Sequence, residues 1–239
     1  MSEIVVVWDY HYFCVKGSFC MMTYEEVRGN KDINTYIVKA DQYLKSLGFT
    51  EHSFSHVTRV AETADYILRE LEYSPREREL SKIAGYMHDI GNIVNRVDHA
   101  QSGAVMSFRI LDRLGVDPED IADIIAAIGN HDEGTGAPVS AIAAALILGD
   151  KSDVRYTRVR NRDFATFDIH DRVNFSVKES NLKFENENKD IVLNLTIDTE
   201  FCSVMDYFEI FMGRMIMCKK AAEFLGIRFR LRINGQKIL

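Results

Sequence analysis

Three prolines, four cysteines and one tryptophan in 239 residues are what this sequence is short of. So little proline, with 10% aromatic residues, fits neither a collagen-like nor a disordered chain. Cys14, Cys20, Cys202 and Cys218 form no CxxC pair. In a chain of this length they make no disulfide framework, and the expectation is reduced thiols in a cytoplasmic protein. No apolar run of about 18 residues occurs, which argues against a spanning helix. The start MSEIVVVWDYHYFC has no basic n-region or cleavage pattern of a secretory signal. Positive charge is also in deficit. The 29 Lys and Arg against 36 Asp and Glu leave a net charge of −7, which disfavours a general nucleic-acid or anionic-membrane surface.

What the chain does have is 46% hydrophobic residues, enough to bury a large core. Residues 1–22 are β-branched and aromatic, which suits a strand or hairpin; Met21-Met22 equally allows an extension from an upstream start. From Thr23 the apolar period turns helical, through Tyr36, Ala40, Tyr43 and Leu44 to Gly48. Val57, Val60, Ala61, Ala64, Ile67, Leu68 and Leu71 mark a second helix, and SPRERE opens a third that runs to Gly91. A polar loop at 92–99 precedes helices near 100–115, 118–130 and 138–152, with Pro118 and Pro138 in first-turn positions. After about residue 165 the texture changes. LKFENENKDIVLNLTID predicts two strands around a turn, Val204–Leu225 an amphipathic helix, and RFRLRING a last strand. The expected fold is mainly α. It comprises an N-terminal stretch (1–22), a helical bundle (23–164) and a small C-terminal α+β appendage of ββαβ order (165–239).

The chemistry lies in polar residues on apolar helix faces. His56 stacks over Val60, His88 follows Ala84 by four, His131 follows Ile128 by three, and Asp150 follows Leu146 by four. Asp89 adjoins His88, and His99 stands near the start of the next helix. Buried imidazoles and carboxylates without partners cost several kcal/mol, so they must satisfy one another or an ion. One such His would be a hydrogen-bonded core residue; six groups in order point to shared cations. They are too many for one four-coordinate zinc, and no thiolate is among them, so two cations are expected. Asp89 can bridge a pair about 3.5–4 Å apart, the spacing that clamps an in-line phosphoryl displacement. His11, His52 and His170 are read as structural.

The order His56, His88-Asp89, His99, His131, Asp150 resembles the HD-domain superfamily of metal-dependent phosphohydrolases. HVTRVAETA is similar to its first ligand motif, AGYMHDIGN to its namesake His-Asp motif and ALILGDKSDV to its terminal Asp motif. The resemblance covers roughly 50–160 and implies an HD-type helical bundle. It also implies a centre of one or two divalent ions (Mn, Fe, Mg, Co or Zn), hydrolysis of phosphoesters in nucleotides, and the six residues as ligands. His99 and His131 match the dinuclear subgroups. Many members carry Lys where this chain has Asn92, an amide that can donate a hydrogen bond but holds no charge. NHDEGTGAP does not complete the cyclic-dinucleotide signature.

The missing charge is sought in the segment Lys151–Asp163, where five basic residues face two acidic ones. Lys151, Arg155, Arg158 and Asn92 are the expected substrate contacts, with Arg96 a weaker candidate. In the expected reaction a water held by the ions, with Asp89 at its centre, attacks phosphorus in line. Asp132 or Glu133 could accept its proton. The substrate is a nucleotide or another small phosphorylated metabolite, and a homo-oligomer paired through a sheet edge is allowed. Two alternatives stand beside this: a diiron oxygenase of the same superfamily, and a regulatory module that binds metal or nucleotide without turnover.

Overall fold

The computed structural model describes residues 21–239. The strand or hairpin expected over 1–22, with His11, Cys14 and Cys20, therefore lies outside the described residues except for Met21 and Met22.

Thr23 and Glu26 close a capping box that starts α1 (Tyr24–Gly29). Asn30 then breaks the chain into an extended conformation, and its side chain accepts from the amides of Asp32 and Ile33 to start α2 (Lys31–Ser46). One helical stretch in the sequence is thus two helices. Ile33, Ile37, Ala40 and Leu44 form the buried face of α2, and Tyr43 points outward. Next come α3 (Phe54–Glu70) and α4 (Pro75–Met87), the latter opened by the Ser74–Glu77 capping box with Pro75 in the first turn. A short 3-10 turn at Ile90–Ile93 leads to α5 (His99–Arg113), α6 (Pro118–Gly129) and α7 (Ala141–Ser152). Pro118 occupies the first turn of α6 as expected. Pro138 does not do so in α7, because Ser140 caps that helix and leaves Pro138 in the loop before it.

The C-terminal region begins with α8 (Ile169–Ser176), followed by β1 (Val177–Glu185), β2 (Asp190–Ile197), α9 (Val204–Phe224), β3 (Arg228–Ile233) and β4 (Gln236–Lys237). The sheet order is β1-β2-β3-β4. The β1–β2 hairpin is antiparallel, β2 and β3 run parallel across the α9 crossover, and β4 folds back on β3. This is the ββαβ order read from the sequence, with a two-residue fourth strand added. Tyr207, Phe211, Met215, Cys218 and Ala222 form the inner face of α9, which packs on α7 and β3. Buried side chains of the bundle and of the sheet join in one continuous cluster. Among the described residues no helix is long and apolar enough to cross a membrane.

The helices α3, α4 and α7 pack together, and α5 closes on the 3-10 turn. Two glycines set how near they come. A Cβ on Gly85 of α4 would stand 2.8 Å from the Ala61 Cα of α3. A Cβ on Gly91 would stand 2.0 Å from the His99 carbonyl oxygen and 2.4 Å from the Gly103 amide nitrogen. Backbone cannot yield as a side-chain tip can, so Gly91 must remain glycine for α5 to lie against the 88–93 segment. Gly91→Ala is expected to destabilise the protein by about 1–3 kcal/mol or more. At about 2–4 °C per kcal/mol for a chain of this size, a thermal melt shows the loss directly; an unshifted melt would contradict the packing described.

Candidate metal centre

Every residue of the expected ligand set sits at a helix end, and all these ends meet on one side of the bundle. His56 is in the first turn of α3, and His88 follows the last residue of α4 with Asp89 next to it. His99 opens α5, His131 lies just past α6, and Asp150 is in the last turn of α7. A helix end is a good place for such a group, because it lets the side chain leave the core while its backbone remains fixed. All four histidines are at least 97% buried, and Asp89 is 5% exposed.

The imidazoles share one arrangement. Nδ1 of His88 lies 2.8 Å from the Gly85 carbonyl, Nδ1 of His99 lies 3.0 Å from that of Arg96, and Nδ1 of His131 lies 2.6 Å from that of Ile128. A carbonyl only accepts, so each Nδ1 carries a proton and each Nε2 is turned into the cluster, where it can present a lone pair once any proton on it is displaced. His56 uses a carboxylate in the same way, with Nδ1 at 2.8 Å from Asp153 Oδ2. Three of the Nε2 atoms then face the carboxylates, and the fourth, on His131, meets His99. His56 Nε2 is 3.3 Å from Asp150 Oδ1 and 3.6 Å from Asp89 Oδ2. His88 Nε2 is 3.2 Å from Asp89 Oδ2, and His99 Nε2 is 3.6 Å from Asp89 Oδ1. His99 and His131 bring their Nε2 atoms to 3.1 Å of each other.

Lone pairs pointed at lone pairs repel unless something positive lies between them. Among the described residues, His56 Nε2, His88 Nε2 and Asp89 Oδ2 are buried with no hydrogen-bond partner, a cost the fold would not carry without a use. The donor set, imidazole nitrogen with carboxylate oxygen and no thiolate, suits divalent ions of the Mn, Fe, Co and Zn kind. Two groups have ligand atoms within 4.8 Å of one another: His56, His88 and Asp150, and His88, Asp89 and His131. These residues could hold a metal ion. Asp89 turns Oδ2 to His56 and His88 and Oδ1 to His99, so its two oxygens serve different histidines.

The imidazoles do not share one charge state. Burial pushes His131 well below the usual imidazole range, helped by His88 and Lys151, so it stays neutral. Burial also lowers His99, against the pull of Asp89. His88 goes the other way. Burial opposes its charge, but Asp89 and Asp150 outweigh it and push its pKa up to about 10. Both aspartates are held well below the usual carboxylate range in spite of burial, Asp89 by His88 foremost and Asp150 by Lys151 foremost.

A cleft over this cluster is lined by His52, Arg96, Lys151, Arg158 and Arg214 together with Asp89, His99, His131 and Asp150. Lys151 Nζ is clamped between Glu133 Oε2 at 2.5 Å and Asp150 Oδ2 at 2.8 Å. Arg214, from α9, reaches Glu133 Oε1 at 3.3 Å. Burial would raise the Glu133 pKa, but Lys151 and Arg214 hold it at about 2. Arg158 donates from Nε to the Glu51 carbonyl at 2.8 Å and from Nη1 to the Asp153 carbonyl at 2.6 Å. Asn92 donates to the Asp89 carbonyl at 2.9 Å and to Asp89 Oδ1 at 2.8 Å, which makes it a brace for Asp89.

The expectation that Arg155 contacts substrate needs correcting. Its Nε and Nη2 grip the two Asp153 oxygens at 2.6 and 3.1 Å, and it does not line the cleft. Lys151 and Arg158 do line it, with their charge already engaged. Asp132 Oδ2 accepts from the Gly134 amide at 3.2 Å, and Asp132 is not among the residues that line the cleft. His52 differs from the structural reading given above. It lines the cleft with Nδ1 on the Thr50 carbonyl at 2.7 Å. His170 is exposed and distant, as read. Asp153 is the clearest omission: only 1% exposed, it orients His56 and gathers Arg59, Arg155 and Arg158. Its position three residues after Asp150 was the available signal. No local signal could have joined Arg214 to Glu133, 81 residues away.

A family model described as HD domain matches residues 53–173. The chain belongs to that family, and the six residues named above stand inside the matched segment. An uncharacterized protein of Methanocaldococcus jannaschii is 25% identical over 205 residues, covering 75% of this chain and 77% of its own. The crystal structure of a predicted HD superfamily hydrolase from an uncultured Thermotogales bacterium aligns with a TM-score of 0.43 at 25% identity. That alignment covers 56% of this chain and 75% of the other.

Two outcomes follow for the centre. Below a pKa of about 10 His88 holds a proton that a cation must displace. Metal affinity should therefore rise with pH across the neutral range, and titration calorimetry at pH 7.5 in buffers of different ionisation heat should show proton release on loading. Equal heats in all buffers would contradict this. Asp153→Asn keeps the shape but weakens the hold on His56 Nδ1. It should lower metal affinity about 10–100-fold, read by competition with a chelating dye.

Proposed function

We propose that this protein is a divalent-metal-dependent phosphohydrolase that cleaves a phosphoester in a nucleotide or another small phosphorylated metabolite. His56, His88, Asp89, His99, His131 and Asp150 would hold two cations, with Asp89 as the shared carboxylate. The observation that carries this reading is the convergence of the His56, His88 and His99 Nε2 atoms on two carboxylates, with His131 Nε2 beside His99 and Asp89 dividing its oxygens between different histidines. One-ion sites do not need a carboxylate used on both sides. The cationic rim of the cleft suits an anionic substrate.

Such ions lower the pKa of water toward neutrality and neutralise charge developing on phosphoryl oxygens. The chain's own residues do the rest. Asp153 and the Gly85, Arg96 and Ile128 carbonyls fix the imidazole rings, so the ligand atoms need no reorganisation during reaction. Asn92 holds Asp89 at the position where both oxygens are shared. Lys151 draws charge from the free oxygen of Asp150, which tempers that ligand. Glu133, held ionised between two cationic groups, is poorly suited to accept a proton at neutral pH and acts here as an anchor for Lys151 and Arg214.

Asp89→Ala removes the shared carboxylate. Elemental analysis should then find the bound metal lost, and assays with phosphomonoester and phosphodiester panels in Mn, Mg, Co or Ni should fall by at least about 10³-fold, the scale of losing a central electrostatic group. Wild-type protein isolated with iron that consumes O2 while the panels stay silent would replace hydrolysis by oxygenation.

A further inference from the structure

Phosphoryl recognition, which rests on the hydrolase reading above, needs a cation whose charge is not already matched. The cationic groups around the centre differ sharply on this point. Lys151 lies between Glu133 and Asp150, and Arg214 lies on Glu133. Arg155 grips Asp153 with two nitrogens, and Arg158 is 4% exposed with its donors on Glu51 and Asp153. Each of these would have to break an internal ion pair or a buried hydrogen bond to meet a substrate, at a cost comparable to what the new contact returns.

Arg96 is different. Among the described residues it has no carboxylate partner. Its Nη1 donates to Asn92 Oδ1 at 3.2 Å and lies 3.2 Å from His99 Nε2. Its guanidinium carbon stands 5.7 Å from the centre of the Phe49 ring, a face-on support that limits the plane's rotation without neutralising the charge. The His99 nitrogen it touches is one of the ligand atoms proposed above, so Arg96 moves off that lone pair when a cation takes it. An anion in contact with a cation on His99 is therefore within reach of Arg96. Asn92 ties the two together, accepting from Arg96 while donating to Asp89.

We propose that Arg96 is the substrate-binding residue of this centre, taking two non-bridging oxygens of the phosphoryl group on its guanidinium fork while Asn92 fixes the fork beside Asp89. The planar guanidinium offers five donors, of which Nη1 alone is committed in the contacts above; the Nε and Nη2 edge matches the oxygen spacing of a phosphoryl group. The uncharged Asn92 thus does not leave the centre without a positive clamp. The charge is supplied four residues later, from the loop before α5, and is aimed back by the amide. Lys151, Arg158 and Arg214 then maintain the electrostatics of the wall rather than touch the phosphoryl group.

The test is calorimetric binding of inorganic phosphate to the full chain loaded with Mn, with metal content measured on the same samples. Arg96→Ala should keep the wild-type metal content and bind phosphate at least tenfold more weakly. Arg96→Lys should recover part of the loss, because it restores charge without the fork. Arg109→Ala, an exposed change on α5, should match wild type. Unchanged phosphate affinity in Arg96→Ala, in a wild type that binds phosphate, overturns the Arg96 assignment and leaves the hydrolase reading intact. Loss of metal in Arg96→Ala also overturns it, since Arg96 would then be holding His99 and not substrate. Wild-type protein that binds no phosphate overturns the phosphoryl reading as a whole.

Discussion

Several electron-pair donors forced to face one another at the edge of a hydrophobic core make up the constraint around which this molecule is arranged. Imidazole nitrogens at 3.1 Å from one another, or opposite buried carboxylate oxygens, are unfavourable by several kcal/mol without positive charge between them. The helices accept this because their ends are fixed by unrelated means: capping boxes, a packed apolar cluster, and glycines where backbones nearly touch. The scaffold supplies the stability, and the centre draws on it.

The proton on each Nδ1 is settled by its partner, and this is what makes the donor set coherent. Three carbonyls and one carboxylate leave no freedom about which nitrogen faces inward. Asp153 has the heaviest duty of these partners. It balances Arg59, Arg155 and Arg158 while orienting His56, so it links the cluster of candidate ligands to the wall on which the basic segment folds.

Most of the bundle could be read from apolar spacing because its helices bury single stripes with clear caps. The donors could be read because an His or Asp placed in register with such a stripe has nowhere to go but inward. Other features were hidden for physical reasons. The break at Asn30 depends on its side-chain cap, and the Pro138 position depends on Ser140 winning the cap of α7. The roles of Arg155 and Arg96 could not be ranked from charge alone. Asp153 lies two residues before Arg155 and claims its guanidinium, whereas among the described residues no acid reaches Arg96, whose orientation comes from Asn92 and Phe49. Glu133 and Arg214 meet only because α9 packs on α7, a tertiary fact with no local pattern behind it.

The line of charge from α9 inward carries one more implication. Arg214 holds Glu133, Glu133 holds Lys151, and Lys151 leans on a free oxygen of Asp150. Excising the sheet and its helix would strip the outermost member, leave Glu133 half balanced, and hand Asp150 a different electrostatic neighbour. The strength of that donor is therefore set partly from outside residues 53–173, and the minimal piece able to reproduce the native centre is longer than the segment by which its kinship is recognised.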